Sequence, residues 1–297
     1  MIKEFLDYVA IKNPFQEKYL LESMKEINDY EKNKLDKLLR FYTQKHTVEE
    51  IGDAYLKWVE VLMEEQKYFL QNKCYRHKAL SEMKYLYEDG VYMTSYMLGL
   101  GVSTYVWNLH RDMMRFFIEK LKDIPSRGRY LEIGPGHGEH FVHALEFTDL
   151  DEYIGVDISD TSVEMTKAFI AHSMPDSKKN YQVINKDFFE YSDDEKFDVI
   201  VMGEVLEHVE EPLQFLKKIY SVASNHAYIY ITTAINAPQP DHLYLFRNLD
   251  EVEALFNEAH LEVTDYIAVT TNNMPLEKAI KKGRTVTVAY TLKKISR

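Results

Sequence analysis

Apolar positions along the chain fall into two rhythms. Up to about residue 122 they recur at three- and four-residue steps or multiples of these, as in Leu20, Met24, Ile27, Leu35, Leu38 and Tyr42, which is a helical period. Thr47 followed by Glu50 matches a capping box and predicts a helix through "VEEIGDAYLKWVEVLMEEQKYFL". Gly90, Gly99 and Gly101 are expected to break the chain around "GVYMTSYMLGLG". Ser103 then caps a last helix running to Asp123-Ile-Pro125.

After "PSRGR" the rhythm changes. "RYLEIG", "EYIGVD", "YQVIN", "FDVIVMG" and "AYIYITTA" are short apolar runs separated by segments of helical length. Such alternation predicts βαβ units and a parallel sheet. "LEVTDYIAVTT" and "TVTVAYTLKK" have only a loop between them, so an antiparallel pair closes the sheet. The expected division is a helical domain over 1–125 and an α/β domain over 126–297.

Composition narrows the partners. The chain has 297 residues, 45% hydrophobic and 28% charged, enough for two globular domains. Residues 1–125 hold 19 Lys/Arg against 20 Asp/Glu, a balance of −1. Residues 126–297 hold 17 against 28, a balance of −11, and together these give the net −12. So acidic a half is a poor electrostatic partner for nucleic acid, and a small-molecule acceptor is the better expectation. One cysteine, Cys74, excludes an internal disulfide and Cys-rich metal sites. "MIKEFLDYVAIKNPF" lacks the apolar run of a signal peptide, and no stretch approaches the about 18–20 apolar residues of a membrane span. A cytoplasmic setting without membrane contact is expected.

The candidate chemistry begins at Glu132-Ile-Gly-Pro-Gly-His-Gly138, between the first strand and its helix. Glycines there allow positive φ and close backbone approach to a ligand. Gly134 and Gly136 fit a dinucleotide fingerprint, but its third glycine would fall on Glu139. The pattern is instead G-x-G-x-G, preceded by an acid that suits a cationic ligand better than a pyrophosphate. Asp157 ends the second strand, where a carboxylate can accept ribose hydroxyls. Asp187 and Phe188 follow the third strand; a polar group there could meet an adenine amine, with Ile158 and Phe188 covering the ring.

"LEIGPGHG", "GVDIS", "KDFFE" and "FDVIVMGEVLEHV", in that order, resemble the class I S-adenosylmethionine (SAM)-dependent methyltransferases over about residues 129–293. The resemblance implies a Rossmann-like, seven-stranded mixed sheet with a C-terminal antiparallel hairpin. It implies SAM as cofactor, with Gly134, Gly136 and Gly138 near the methionine part, Glu132 near its amino end, Asp157 on the ribose and Asp187 near adenine. His137 is bulkier than residues often found in that loop and could reach the ligand.

"GEVLEHVEEP" follows the fourth strand, where acceptor and cofactor should meet. On a helix Glu204, Glu207 and His208 would share one face. The simplest reading is a wall, with Val205 and Leu206 packed inward. A second makes His208 or Glu204 a general base, with His242 a further catalytic candidate. The third and least expected is a divalent metal held by Glu204, Glu207, His208 and His242; its E-x-x-E-H pattern resembles that of quinone-biosynthesis O-methyltransferases and plant small-RNA 2′-O-methyltransferases. His242, in "NAPQPDHLYLF" beside Asp241, would have to complete it.

Tyr85, Tyr87, Tyr92, Tyr96, Tyr105 and Trp107 cluster before the sheet domain. They pack helices together or roof an acceptor pocket, with Tyr92, Tyr96 and Tyr105 as the roof. The helical half is then a lid or a homodimer interface. His110, His140, His143 and His172 are expected to be solvated or satisfied. The functional expectation is methyl transfer from SAM to a small or medium acceptor at oxygen or nitrogen. The rivals are a catalytically silent SAM-binding interaction module and a metal-assisted nucleic-acid methyltransferase.

Overall fold

A computed structural model describes every residue except 84, 87, 88, 296 and 297, so Tyr87 lies outside the described residues. The first half is built from α1 (Ile2–Lys12), α2 (Pro14–Glu26), α3 (Asp29–Tyr42), α4 (Val48–Asn72), α5 (Gly90–Val106) and α6 (Asn108–Lys120). Their starts are written locally. Asn13 accepts from Phe15 N and Gln16 N ahead of α2, and capping boxes at Asn28/Glu31 and Thr47/Glu50 open α3 and α4.

Gly99 and Gly101 do not break the chain, contrary to expectation, but lie inside α5. A Cβ on Gly99 would meet Trp58 Cβ at 2.9 Å and the Ala54 carbonyl at 3.1 Å, and one on Gly101 would collide with the Tyr42 hydroxyl. These glycines let helices approach closely. Ser103 is likewise a helix-interior residue, its hydroxyl donating to Leu100 O at 2.6 Å. The break falls at Trp107, whose backbone is extended.

The second half is a seven-stranded sheet: β1 (Arg129–Ile133), β2 (Glu152–Asp157), β3 (Tyr181–Asn185), β4 (Phe197–Gly203), β5 (Ala223–Ile235), β6 (Leu261–Thr270) and β7 (Val286–Lys294). Its order is β3-β2-β1-β4-β5-β7-β6, and β7 runs antiparallel to both β5 and β6. The mixed sheet with its closing hairpin is as expected. Between the strands lie α7 (Glu139–Phe147), α8 (Asp160–Ser173), α9 (Pro212–Val222), α10 (Leu249–Glu258) and α11 (Leu276–Lys281).

Alternate strand residues feed two cores. Tyr130, Val199, Val201 and Tyr230 pack under the helical half, while Leu131, Ile133, Ile200 and Ile231 face Phe215, Leu216 and Phe256 on the other side. Phe117 of α6 sits 4.9 Å from Tyr230, and Asn108 Nδ2 donates to Thr270 O at 3.1 Å, so the helices are docked on the sheet. No described helix is long and apolar enough to cross a membrane. The strand order reverses between β1 and β4, which opens a crevice beyond their carboxyl ends.

Candidate active site

The crevice floor is the loop leaving β1. Gly134, Gly136 and Gly138 adopt φ of +68°, +56° and +87°, a region costly for other residues. A Cβ on Gly134 would also lie 2.8 Å from Val205 Cγ2, so bare backbone lines the floor. Gly134 N donates to Val156 O at 2.9 Å. Asp157, 9% exposed, accepts from Gly136 N at 3.2 Å and Ser159 N at 2.9 Å, and burial raises its carboxyl above the usual range. Glu132, 2% exposed at the base of the loop, is pushed up to about 8 by burial.

Farther along the rim, Ile158 is exposed and Asp187 is half-buried, accepting from Phe189 N at 2.8 Å. Phe188 does not face the crevice. Its ring is buried 5.1 Å from Phe215, drawn into the core beneath the sheet, while Phe189 is exposed.

Across the crevice, the expected helical face of Glu204, Glu207 and His208 is absent. Glu204 takes φ +52°, held by its N–H donating to Thr232 Oγ1 at 2.9 Å, and only a single 3-10 turn, Leu206–His208, follows. The groups nevertheless converge. Leu243 N and Tyr244 N donate to Glu207 O at 2.8 and 3.0 Å, stitching the loop after β5 onto this turn. That brings the His242 ring to 4.7 Å from His208. Among the described residues, Glu207, His208 and His242 present ligand-type atoms within 4.8 Å of one another.

The polar atoms of this cluster are unbalanced. Glu204 Oε1, Glu207 Oε1, Asp241 Oδ1 and His242 Nδ1 are buried without a hydrogen-bond partner. Burial raises the carboxyls of Glu204 and Glu207, the latter further through the charge of Glu204, and lowers His242. His208 Nδ1 lies 2.9 Å from Asp241 O, which leaves its other ring nitrogen for the cluster. Thr233 donates to Glu207 Oε2 at 2.8 Å. Buried, unpaired O and N donors of this kind suit a divalent cation.

Sequence reading missed two members. Tyr75 lies 5.8 Å from His242, and its hydroxyl accepts from Ala237 N at 3.0 Å; nothing local in the chain flags it. Thr233 had a signal, a polar residue in the buried strand "YIYITTA".

Over the crevice, Met97 of α5 reaches to 3.9 Å from where a Cβ of Gly136 would stand. Tyr92 stacks on Tyr96 at 6.2 Å, and its hydroxyl is buried without a partner. Tyr96 meets Trp58 edge-on at 4.9 Å. Tyr105 is not part of a roof: it is 2% exposed and donates to Glu139 Oε2 at 2.7 Å in the core. His143 departs from expectation, since it is fully buried with neither ring nitrogen hydrogen-bonded, whereas His110 Nδ1 is satisfied by Ser103 Oγ at 2.9 Å. His172 is satisfied, with Gln44 Nε2 at 3.0 Å from its Nδ1.

A glycine cradle and two buried acids at the switch point of this sheet define the class I methyltransferase architecture, and the resemblance seen in the sequence is borne out. The chain belongs to the family described as "Methyltransferase domain", whose model matches residues 105–268. It is 22% identical over 201 residues to the mitochondrial ubiquinone biosynthesis O-methyltransferase of Dictyostelium discoideum. That match covers 56% of this chain and 61% of the relative, so the chain spans less than two thirds of that protein's length. Among solved structures, a candidate methyltransferase from Bacillus halodurans aligns with a TM-score of 0.51 at 12% identity, covering 63% of this chain and all of that one. A mycolic acid cyclopropane synthase solved with S-adenosylhomocysteine (SAH) aligns at 0.50 with 13% identity, covering 62% and 84%. These likenesses carry the fold.

Proposed function

We propose that the chain transfers the methyl group of SAM to a hydroxyl of a small acceptor, which a divalent cation on Glu204, Glu207, His208 and His242 orients. The observation that carries this reading is the convergence of Glu207, His208 and His242 within 4.8 Å, beside buried oxygen and nitrogen atoms that lack partners. A wall that merely packed would not leave so many polar groups unsatisfied. The relative's name places its own chemistry at oxygen, which supports the choice of a hydroxyl.

In this reading Gly134, Gly136 and Gly138 give backbone to the methionine part, Glu132 faces its ammonium and Asp157 takes the ribose hydroxyls. Asp187 and Ile158 flank the adenine. Bound there, SAM supplies an activated methyl on a sulfonium that leaves as a neutral thioether. The protein's task is therefore alignment and exclusion of water. Residues 1–125 serve as the lid, with Tyr92 and Tyr96 over the acceptor. Mixed O/N ligation suits Mg²⁺, Mn²⁺ or Zn²⁺.

The test is SAH formation from SAM with 3,4-dihydroxybenzoate as probe, with Mn²⁺ and with excess chelator. Turnover that needs the metal, and is lost in Glu207→Ala, supports the proposal. Equal turnover in chelator overturns the metal role. SAH binding without turnover on a panel of phenolic acceptors overturns the acceptor class and favours a silent cofactor-binding module.

A further inference from the structure

We propose that His140, in the first turn of α7, is the base that takes the acceptor's proton; this rests on the methyl transfer proposed above. The crevice lies between the ends of β1 and β4, and β4 ends at Gly203. His140 returns from the glycine loop to that point. A Cβ on Gly203 would stand 3.1 Å from His140 Cε1 and 3.3 Å from Nδ1. Gly203 is not among the glycines with positive φ, so its backbone does not require glycine. What the missing side chain provides is room for the imidazole, one residue before Glu204.

The ring's surroundings assign its two nitrogens. Phe117 contacts it edge-on at 4.7 Å and Tyr230 lies tilted at 6.1 Å. Nε2 is buried without a partner, although the residue as a whole is only partly buried. An N–H is tolerated among aromatic rings, whereas a bare lone pair gains nothing there. The proton therefore sits on Nε2, and Nδ1 keeps its lone pair beside Gly203. The titratable groups facing His140 are His137 from the loop before it, His143 on its own helix and Tyr230 of β5. Burial lowers His140 to about 4, so the ring is neutral at pH 7.

A weak base suffices for this step. As the acceptor oxygen forms its bond to the methyl carbon, the C–S bond breaks and its electron pair stays on sulfur. The oxygen's own proton becomes strongly acidic at that moment and passes to Nδ1, leaving an imidazolium that releases it to solvent. His208 is a poorer candidate, since its Nδ1 is held 2.9 Å from Asp241 O and the residue is itself one of the ligand cluster.

The experiment compares wild type with His140→Ala and His140→Gln, using 3,4-dihydroxybenzoate and Mn²⁺ as probes. We expect kcat to fall by roughly 10²–10³-fold in both, with SAH affinity within about threefold of wild type. The acid limb of the kcat–pH profile disappears, and added imidazole partly rescues His140→Ala. Variants that keep more than half of the wild-type kcat with its pH profile overturn the proposal. Should His140→Ala fail to fold, His140→Gln carries the test alone, since it keeps the bulk beside Gly203 but offers no base, and wild-type kcat in that variant overturns the proposal. Should the probe acceptor not turn over, ring-nitrogen NMR of the SAH complex still decides. Protonated Nε2 with bare Nδ1 supports the base, and a proton on Nδ1 at pH 7 overturns it.

Discussion

Tyr130 donates its phenolic proton to Glu132 Oε2 at 2.5 Å, and both side chains, on the same face of β1, are buried. Burial lifts the Glu132 carboxyl to about 8, so in the ligand-free protein it holds a proton at pH 7. A ligand ammonium beside it favours the carboxylate and expels that proton. SAH binding at pH 7 should therefore release close to one proton, and affinity should rise with pH until about 8 and then level. Calorimetry in buffers of different ionisation heat reads this directly. Equal heats in phosphate and Tris would remove Glu132 from the amino site. Glu132→Gln should bind without proton release, about 1.5–3 kcal/mol more weakly.

Asp157 has two duties, and they can be separated. Its carboxylate braces Gly136 N and Ser159 N, and its remaining lone pairs are offered to the ribose. The brace uses both oxygens, Oδ2 for Gly136 N and Oδ1 for Ser159 N, so Asp157→Asn loses the charge and keeps an acceptor for only one of the two N–H groups. We expect SAH affinity to drop by about 1.5–3 kcal/mol, with a smaller fall in melting temperature than in Asp157→Ala. Asp157→Ala should lose as much affinity and some stability. Unchanged SAH affinity in both variants would sink the ribose assignment.

Thr233 hydrogen-bonds Glu207 and is not itself a candidate ligand, so it tests the metal proposal without removing a ligand. Thr233→Val keeps the shape and deletes the hydroxyl that orients Glu207 Oε2. Loss of such a supporting contact typically costs 10–100-fold in metal affinity. Mn²⁺ titration of the variant is expected to show a weakening in roughly that range. A wild-type isotherm would mean that Glu207 is not held for a cation.

How much of this was legible follows from which contacts are local. The strand–loop–helix at "RYLEIGPGHG" and the acid ending β2 sit within short windows, and their periodicity gave the sheet and its cradle. The parity of one residue hid the Phe188/Phe189 distinction: both follow β3 and both rings lie about 5 Å from Phe215, but only Phe188 enters the core beneath the sheet. His242 could be nominated but not positioned, because two backbone hydrogen bonds to Glu207 O, some 35 residues back, fold its loop over the turn. Tyr75 comes from the helical half and carries no pattern of its own. Gly99 and Gly101 were misread as breakers. A glycine in a helix costs about 1 kcal/mol, which close helix packing offsets here.

That last point yields the prediction most specific to this chain. The Tyr42 hydroxyl of α3 occupies the space a Cβ of Gly101 would need, and it donates to Met97 O of α5 at 3.3 Å. Gly101→Ala gains helix propensity but overpacks this crossing, and overpacking of a filled core typically costs about 1–3 kcal/mol. Tyr42→Phe removes the hydroxyl and opens the space, at the loss of one hydrogen bond. The double variant should therefore be more stable than the sum of the single losses, with a coupling of about 1 kcal/mol or more in urea unfolding. Simple additivity would mean that α3 and α5 shift apart freely. In that case Gly101 is not what sets their approach, nor the seat of Met97 over the glycine loop.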